Sequence, residues 1–323
     1  MNFDSLADHL AGIDGVAVVR QMSSGSLCTY RVGGDIELFV RVDERRALGE
    51  LVSVIAASNV PTMPIGKGSN LLVADSGFAG IGFMLGEDFT HTTIDESIVS
   101  VGAAAALPVV ARATVSAGLT GFEWAVGVPG SIGGAVRMNA GGHGSDMAAS
   151  LASVTIADLS TGVLSTIESN DLDLSYRYSN LGAHQVVTGA TLRLETAPSP
   201  ERGSAELKEI VAWRRAHQPG GANAGSVFTN PPGDSAGRLI DAAGLKGLRV
   251  GTAVVSDKHA NFIQADADGK ADDVMGLMVK VVDQVEARFG VRLHAETRLV
   301  GFAEKLTEHV QASASSEGDS TNG

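Results

Sequence analysis

A serine, an arginine and a glutamate occur in surroundings that allow each of them a chemical role. Ser226 follows a glycine in "NAGSVFTNPPG", where its hydroxyl is either a turn residue or a proton donor. Arg177 lies between two tyrosines in "SYRYS", so its planar fork is either a surface charge or a partner for a carboxylate or oxyanion. Glu296 in "VRLHAETRLVG" is either part of a solvated ion pair or a site residue. Taken singly, these residues leave both interpretations open.

Two glycine-rich loops have the chemistry to bind the phosphates of a cofactor. "GKGSN" at residues 66–70 and "VPGSIGG" at residues 128–134 present backbone N–H groups with little side-chain shielding. The first is not a P-loop, because the Gly-Lys-Ser/Thr pattern and its spacing are missing. Each loop alone could be an ordinary turn. Two such loops in one region favour a site for a dinucleotide.

One further motif raises the alternative of a serine hydrolase. "GDSAG" at residues 233–237 matches the nucleophile elbow around Ser235. The preceding Asn-Pro-Pro-Gly-Asp cannot form the central strand that an elbow needs, because proline lacks a hydrogen-bond donor. We therefore interpret Ser235 as the N-cap of a helix. The 8 histidines lack metal-ligand spacing and Cys28 is the single cysteine, so we predict no metal site.

These segments lie between helices and strands that together predict an α+β fold. Apolar periodicity predicts helices over residues 43–59, 107–118, 205–217, 235–243 and 271–289. Alternation predicts strands in "SVTIAD", "GVLSTIE", "QVVTGATLRLE" and "VRLHAETRLVG". The proline-rich "APSPERGS" at residues 197–204 is typical of a linker between domains.

Composition and charge exclude several classes of partner. With 24 Lys+Arg against 37 Asp+Glu the formal net charge is −13, which argues against nucleic-acid binding. No uncharged apolar run approaches the roughly 20 residues that a membrane helix needs. Asp4 and Asp8 stand where a secretory signal carries basic residues, so we expect a cytoplasmic protein without membrane contact.

Eight ordered motifs resemble one family of enzymes. They are "TYRVGG", "PIGKGSNLL", "VPGSIGGAVRMNAG", "YRYS", "GSVFTNP", "AGRLIDAAGLKG", "KHANFI" and "AETRLVG". Together they resemble the UDP-N-acetylenolpyruvoylglucosamine reductases of bacterial cell-wall synthesis, over about residues 30–301. The tyrosines are Tyr30, Tyr176 and Tyr178, so no tyrosine-bearing insertion is present and the chain resembles the loop-less subtype.

The resemblance implies a fold, a reaction and its cofactors. The expected fold is a two-subdomain FAD-binding domain of the vanillyl-alcohol-oxidase (PCMH) type, followed by a C-terminal α+β substrate-binding domain. The expected boundaries are 1–80, 81–198 and 199–305, with a disordered tail at 306–323. The implied reaction is reduction of UDP-N-acetylglucosamine enolpyruvate to UDP-N-acetylmuramate by NADPH through bound FAD. We expect a monomer.

The resemblance also assigns roles to residues. Arg177 matches the family arginine that stabilises the developing negative charge, Ser226 the proton donor, and Glu296 the family glutamate. The implied FAD-binding residues are Gly66, Lys67, Gly68, Ser69, Asn70, Pro129, Gly130, Ser131, Gly133 and Gly134. The implied substrate-binding residues are Tyr176, Asn230, Arg238, Lys246 and His259.

Two alternative functions would also fit a flavin-binding protein. Another oxidoreductase of the same fold, acting on a different sugar or alcohol, would share the glycine loops without needing the serine, arginine and glutamate. A non-enzymatic flavin-binding or nucleotide-sugar-binding protein would show no turnover.

His143 replaces an aromatic residue common in relatives, and a covalent flavin link there is an alternative that we do not favour. Arg214 and Arg215 are further candidates for binding the substrate's diphosphate.

Overall fold

The computed structural model describes residues 3–311, without the side chain of Pro200. Its helices are α1 (Phe3–Ala11), α2 (Leu48–Ser58), α3 (Leu107–Ser116), α4 (Ile132–Arg137), α5 (Pro200–His217), α6 (Ala236–Ala242), α7 (Ala271–Phe289) and α8 (Glu304–Val310). None of these helices is long and apolar enough to cross a bilayer.

Within residues 3–311, eighteen strands, several of them short, occur between these helices. They are β1 (Val16–Ser23), β2 (Asp35–Val42), β3 (Thr62–Ile65), β4 (Leu71–Val73), β5 (Phe78–Leu85), β6 (Thr92–Asp95), β7 (Ile98–Gly102), β8 (Leu119–Thr120), β9 (Gly141–Gly142), β10 (Ser145–Asp146), β11 (Leu151–Asp158), β12 (Leu164–Glu168), β13 (Gln185–Arg193), β14 (Glu195–Thr196), β15 (Arg249–Val250), β16 (Ala253–Val255), β17 (Ile263–Ala265) and β18 (Arg298–Val300).

The first of two compact units contains two larger sheets and the two-stranded pairs β9-β10 and β8-β14. It comprises the chain up to Met22, Ile36–Gly68 and Ala79–His217. One sheet has the strand order β1-β2-β5-β3 with β3 parallel to β5, and its core includes residues of α1 and α2. The other, β12-β11-β13-β7-β6, is antiparallel throughout, and its core includes residues of α3, α4 and α5.

The second unit is built around the long helix α7. It comprises Ser23–Asp35, Ser69–Phe78 and the chain from Gln218. The predicted apolar stripe of α7 is buried: Val274, Leu277, Met278, Val281, Val282 and Val285. Asp75 receives the N–H of Ala271 at 2.9 Å and so supports the first turn of the helix. A three-stranded sheet, β15-β16-β17, and the parallel pair β4 and β18 belong to the same unit.

Local predictions hold where the pattern extends over several turns. Helices α2, α3 and α7 match the predicted segments, with Pro108 in the first turn of α3. Gly290 follows α7 at φ 66°, a left-handed conformation that glycine adopts without a steric penalty. Ser235 caps α6 by accepting the N–H of Arg238 at 3.3 Å. Its hydroxyl therefore serves the helix, as the sequence interpretation held.

The proline-rich segment is a helix start and not a linker. Helix α5 begins at Pro200, and the first unit continues through this helix to His217. Proline suits the first turn of a helix, because its missing N–H would have no partner there. Ile210 is 4% exposed and belongs to the core of the first unit, so packing of one face of α5 overrides the composition signal.

The structure also differs from the strand and the disordered tail that were expected near the C-terminus. Only Arg298–Val300 forms a strand in the segment that alternation predicted as strand throughout. Leu293 and Thr297 are buried, four positions apart, while the residues between them are half-buried, so the period-two faces do not form. Helix α8 extends to Val310, within the segment expected to be a disordered tail. Residues 312–323 of that expected tail lie outside the described residues.

Candidate active site

The two glycine loops meet within the first unit. A Cβ atom at Gly66 would lie 2.7 Å from Ser131 Oγ, so a side chain there would collide with the second loop. Gly68 has φ 60° and is buried. Among residues 3–311, the backbone N–H groups of Gly66 and Lys67 have no protein acceptor, and both residues are exposed. The pair of loops therefore offers backbone donors and one lysine to an anion such as a pyrophosphate.

The N–H groups of the second loop are largely used by the protein itself. Gly130 donates to Val128 O at 2.9 Å and Gly133 to Ala103 O at 2.8 Å. Gly134 N lies 3.4 Å from Ser131 Oγ, which caps α4. Because these donors are engaged, the sequence-predicted glycines of this loop contribute close packing more than free N–H groups. In the first loop, the N–H groups of Gly66 and Lys67 remain available to a phosphate.

Arg177 lies in a tight turn. Ser175 N donates to Tyr178 O at 3.2 Å, Tyr178 N donates to Ser175 O at 3.1 Å, and Arg177 has φ 58°. A left-handed arginine is strained, and such strain concentrates at functional sites. Its guanidinium carbon lies 5.3 Å from the ring centroid of Tyr176, and one nitrogen donates to Gly141 O at 3.3 Å. Tyr176 is 58% exposed, whereas Arg177 is half-buried beneath it.

Ser226 lies in a loop held by a neighbouring asparagine. Asn223 accepts the N–H of Gly225 at 3.1 Å and donates to the carbonyl of Gly221 at 3.1 Å. Gly225 has φ 76°, which a residue with a Cβ adopts only under strain. Ser226 itself is half-buried. The loop therefore fixes the backbone on the N-terminal side of the serine.

Glu296 lies on the segment beside that of Ser226, within the second unit. Its N–H donates to Val227 O at 2.8 Å, and Phe228 pairs with Ala295 in an isolated β-bridge. Asn70, predicted as an FAD ligand, donates its side-chain N–H to Glu296 O at 3.0 Å. The structure thus brings together three sequence-predicted residues, and it gives Asn70 a role in holding the glutamate backbone.

Asn261 is a site residue that the sequence did not single out. It is 4% exposed, accepts the N–H of Phe228 at 3.0 Å, and donates to Phe228 O at 2.8 Å. One side chain therefore satisfies both backbone groups of a residue in the segment that carries Ser226. The motif "KHANFI" contained this asparagine, but its burial and its partner 33 positions away become visible only in the fold.

Two of the side chains predicted to bind the substrate, Arg238 and Lys246, lie against carboxylates. Arg238 donates from Nε to Asp234 at 2.6 Å, and Lys246 lies 2.7 Å from Asp241. Arg238 lowers the pKa of Asp234 to about 2. Asn230 accepts the N–H of Ala236 at 3.1 Å and thus also supports α6.

The fifth predicted substrate residue, His259, packs against aromatic and helical neighbours. Its ring lies 4.8 Å from the ring of Phe262, and its Nδ1 accepts the N–H of Asn261 at 3.2 Å. A Cβ atom at Gly237 would approach its ring to 3.3 Å. The imidazole is therefore positioned by the start of α6 and by the asparagine that holds the Ser226 segment.

His143 packs against the last turns of α5. It takes φ 53° in the turn of the β9–β10 hairpin, and its ring meets Trp213 edge-on at 5.1 Å. His217 stacks on the other side of Trp213 at 4.6 Å. A cavity of about 500 Å³ is lined by His143, Arg202, Ala205, Glu206, Glu209, Ile210 and Trp213. Arg214 donates to Gly127 O, and burial lowers the pKa of its guanidinium.

Models of two known protein families match this chain, one in each unit. Residues 36–168 match the model of an FAD-binding domain. Residues 217–300 match the model of the C-terminal domain of UDP-N-acetylenolpyruvoylglucosamine reductase.

Complete proteins show the same similarity. The chain is 41% identical to UDP-N-acetylenolpyruvoylglucosamine reductase 2 of Symbiobacterium thermophilum, over 84% of this chain and 89% of that protein. It is 39% identical to the reductase of Heliobacterium modesticaldum, over 84% and 87%. The crystal structure of the Thermus caldophilus reductase aligns with a TM-score of 0.74 at 35% identity, over 88% of this chain and 98% of that one.

The fold and the paired glycine loops define an FAD-dependent oxidoreductase, with an α+β FAD-binding domain and a separate C-terminal domain. This confirms the predicted fold class. Within that class, the chain belongs to the UDP-N-acetylenolpyruvoylglucosamine reductase family.

Proposed function

We propose that this chain uses NADPH to reduce UDP-N-acetylglucosamine enolpyruvate to UDP-N-acetylmuramate, in peptidoglycan precursor synthesis. The observation that carries the proposal is the pairing of the Ser226 and Glu296 segments, through the 2.8 Å bond from Glu296 N to Val227 O. That pairing lies within residues 217–300, which match the reductase C-terminal domain. Sequence position and local geometry thus support one assignment.

The first unit supplies the residues for the cofactor. When bound, FAD would supply the hydride-transfer chemistry between NADPH and the methylene carbon of the enol ether. The N–H groups of Gly66 and Lys67 would bind its pyrophosphate, with the lysine ammonium as the positive charge. The contact between Gly66 and Ser131 fits this role, because a Cβ atom would fill the space between the loops.

Arg177 would stabilise the charge that develops on the substrate. Hydride addition to the methylene carbon leaves negative charge on the neighbouring carbon and on its carboxylate. A guanidinium binds a carboxylate through two parallel N–H donors, and these bonds strengthen as charge accumulates. The turn of residues 175–178 holds this arginine in one backbone conformation before substrate arrives, which lowers the cost of reorganisation.

Ser226 would donate the proton that completes the reduction. A serine hydroxyl is a weak acid, but a carbanion-like carbon is basic enough to take its proton when the hydroxyl is aimed at that carbon. The left-handed Gly225 and the side chain of Asn223 fix the backbone from which the hydroxyl projects. Glu296 would assist through a hydrogen bond to the substrate, and Asn70 holds its backbone.

The mass of the product tests the proposal and separates it from the alternatives. The FAD-loaded protein is incubated with NADPH and UDP-N-acetylglucosamine enolpyruvate, and the sugar nucleotide is analysed by mass spectrometry. We expect a product heavier by two hydrogen atoms, formed at the expense of one NADPH. An unchanged sugar nucleotide would contradict the proposal. Oxygen consumption with an added sugar or alcohol would instead support an oxidase of the same fold.

A further inference from the structure

The turn that carries Arg177 is held by a residue of the second glycine-loop motif. Asn139 lies just beyond the end of α4 and is 2% exposed. Its side-chain nitrogen donates to Ser175 O at 2.9 Å and to Asp146 at 3.2 Å. Its side-chain oxygen accepts the N–H of Ala148 at 2.9 Å. One amide therefore joins the Arg177 turn to the β9–β10 hairpin and to the residues after it.

The backbone of Asn139 is suited to this position. Asn139 has φ 37°, and asparagine tolerates left-handed conformations better than most residues with a Cβ. Buried polar groups are normally satisfied, and the side-chain oxygen and nitrogen of Asn139 both have partners. Two properties of asparagine are thus used at once: its tolerance of this backbone and its ability to donate and accept together.

Contacts on the far side of the turn come from the same stretch of chain. Ser179 Oγ donates to Arg137 O at 2.7 Å, and the Arg137 guanidinium donates to Gly182 O at 2.8 Å and to Leu181 O. The Arg177 guanidinium itself donates to Gly141 O at 3.3 Å. Residues 137–141 therefore contact the turn on both sides of Arg177 and also contact its charged group.

We propose that Asn139 is a positioning residue that fixes the Arg177 guanidinium for the substrate carboxylate. The inference rests on the function proposed above. Asn139 touches neither substrate nor cofactor in this role; it acts through the carbonyl of Ser175, two residues before the arginine. If so, the loss of its donors should impair the half-reaction that uses Arg177 and spare the one that does not.

The Asn139→Asp variant tests this with almost no change of side-chain volume. It loses both N–H donors and places a carboxylate against the Ser175 carbonyl and the Asp146 carboxylate. Reoxidation of the reduced flavin by UDP-N-acetylglucosamine enolpyruvate should slow roughly 10- to 100-fold, as expected for a lost buried hydrogen bond. Reduction by NADPH should change by less than about threefold.

A matched control lies in the same loop. Asn180 also donates to a backbone carbonyl, Asp171 O at 2.9 Å, and to a carboxylate, Asp173 at 3.1 Å, but it is exposed. Asn180→Asp makes the same chemical change three residues beyond Arg177. Both half-reactions of this control should stay within about threefold of the parent. An equal loss in the control would overturn the inference, because any added charge in the loop would then have the same effect.

A double-mutant cycle separates positioning from general destabilisation. In an Arg177→Lys background, Asn139→Asp should slow reoxidation much less than it does in the parent, since the group that it positions is already gone. If Asn139 had a merely structural role, Asn139→Asp would slow reoxidation by the same factor in both backgrounds. That result would overturn the inference.

If Asn139→Asp does not fold, the two half-reactions can be measured with Asn139→Gly. Glycine accepts the left-handed backbone and removes the amide, so the same selective loss in reoxidation is expected. Equal slowing of both half-reactions in the glycine variant would contradict positioning. If the parent protein itself is not reoxidised by the sugar nucleotide, the proposed function fails, which this experiment distinguishes from failure of Asn139 alone.

Discussion

The chain positions its two main catalytic candidates by different means. The Arg177 turn depends on side chains: Asn139 bonds to the carbonyl of Ser175, 36 positions away, and Ser179 bonds back to the carbonyl of Arg137. The Ser226 segment combines side-chain bonds of Asn261 with backbone bonds to distant segments, from Val227 N to Asn261 O at 2.9 Å and from Glu296 N to Val227 O at 2.8 Å.

This difference has a chemical reason. An arginine that binds a charged substrate needs its long side chain aimed, and the direction of that side chain depends on the strained backbone beneath it. A serine hydroxyl lies one rotatable bond from the backbone, so a fixed backbone limits its oxygen to three staggered positions. In both regions a single buried asparagine, Asn139 or Asn261, joins distant segments of chain.

The largest effect on the rate of reoxidation is expected when Ser226 loses its hydroxyl. Ser226→Ala should slow reoxidation by the sugar nucleotide about 10²- to 10⁴-fold, which is the usual contribution of a general acid. Flavin reduction by NADPH should stay near the parent rate. Both rates come from stopped-flow absorbance at the flavin band. Equal slowing of both half-reactions would remove Ser226 from its role as acid.

A smaller loss is expected when the arginine keeps its charge but loses its fork. Arg177→Lys should slow reoxidation roughly 10- to 100-fold, because a lysine cannot make two parallel bonds to one carboxylate. The loss should appear in the rate at saturating sugar nucleotide and not only in its affinity. Near-normal turnover of this variant would contradict the bidentate interaction.

The asparagine of the second unit is expected to affect stability as well as rate. Asn261→Ala leaves the N–H and the carbonyl of Phe228 without their side-chain partner, at a cost of about 1–3 kcal/mol in the free energy of unfolding. Urea unfolding followed by circular dichroism measures this cost. Asn223→Ala removes comparable bonds from a more exposed loop and should cost less. Equal costs would mean that burial of Asn261 is unimportant.

The smallest effect is expected at the surface of the second unit. The side-chain bond from Arg238 holds the pKa of Asp234 at about 2, below its usual value near 4. A depressed carboxyl pKa stabilises the fold above the ordinary value, and this contribution disappears as the pH falls through the lowered one. The melting temperatures of the parent and of Arg238→Ala should therefore differ slightly at pH 6 and converge between pH 4 and pH 2. A difference that grows on acidification would contradict the assignment.

The sequence predicted what depends on short-range pattern. Helices α2, α3 and α7, the cap at Ser235 and the paired strands β11, β12 and β13 follow from periodicity and local residue preference. The motif order also identified the family correctly. Local pattern failed at Pro200, where the packing of Ile210 and its neighbours on α5 against the core of the first unit overrides a linker-like composition.

What the sequence could not reveal is which residues hold the catalytic candidates in place. Asn139 and Asn261 lie within recognised motifs, yet their partners are 36 and 33 positions away. Long-range contacts of this kind leave no periodic signal. The carboxylate partners of Arg238 and Lys246 are close in sequence, but a carboxylate four or five residues distant occurs by chance in any polar helix, so it predicts little.

Anaerobic stopped-flow absorbance of the FAD-loaded parent protein tests the central claim most directly. The flavin band should bleach when NADPH is added and recover rapidly when UDP-N-acetylglucosamine enolpyruvate follows. Bleaching without recovery would leave a flavin reductase that acts on another substrate. A protein that cannot be loaded with FAD would contradict the account altogether.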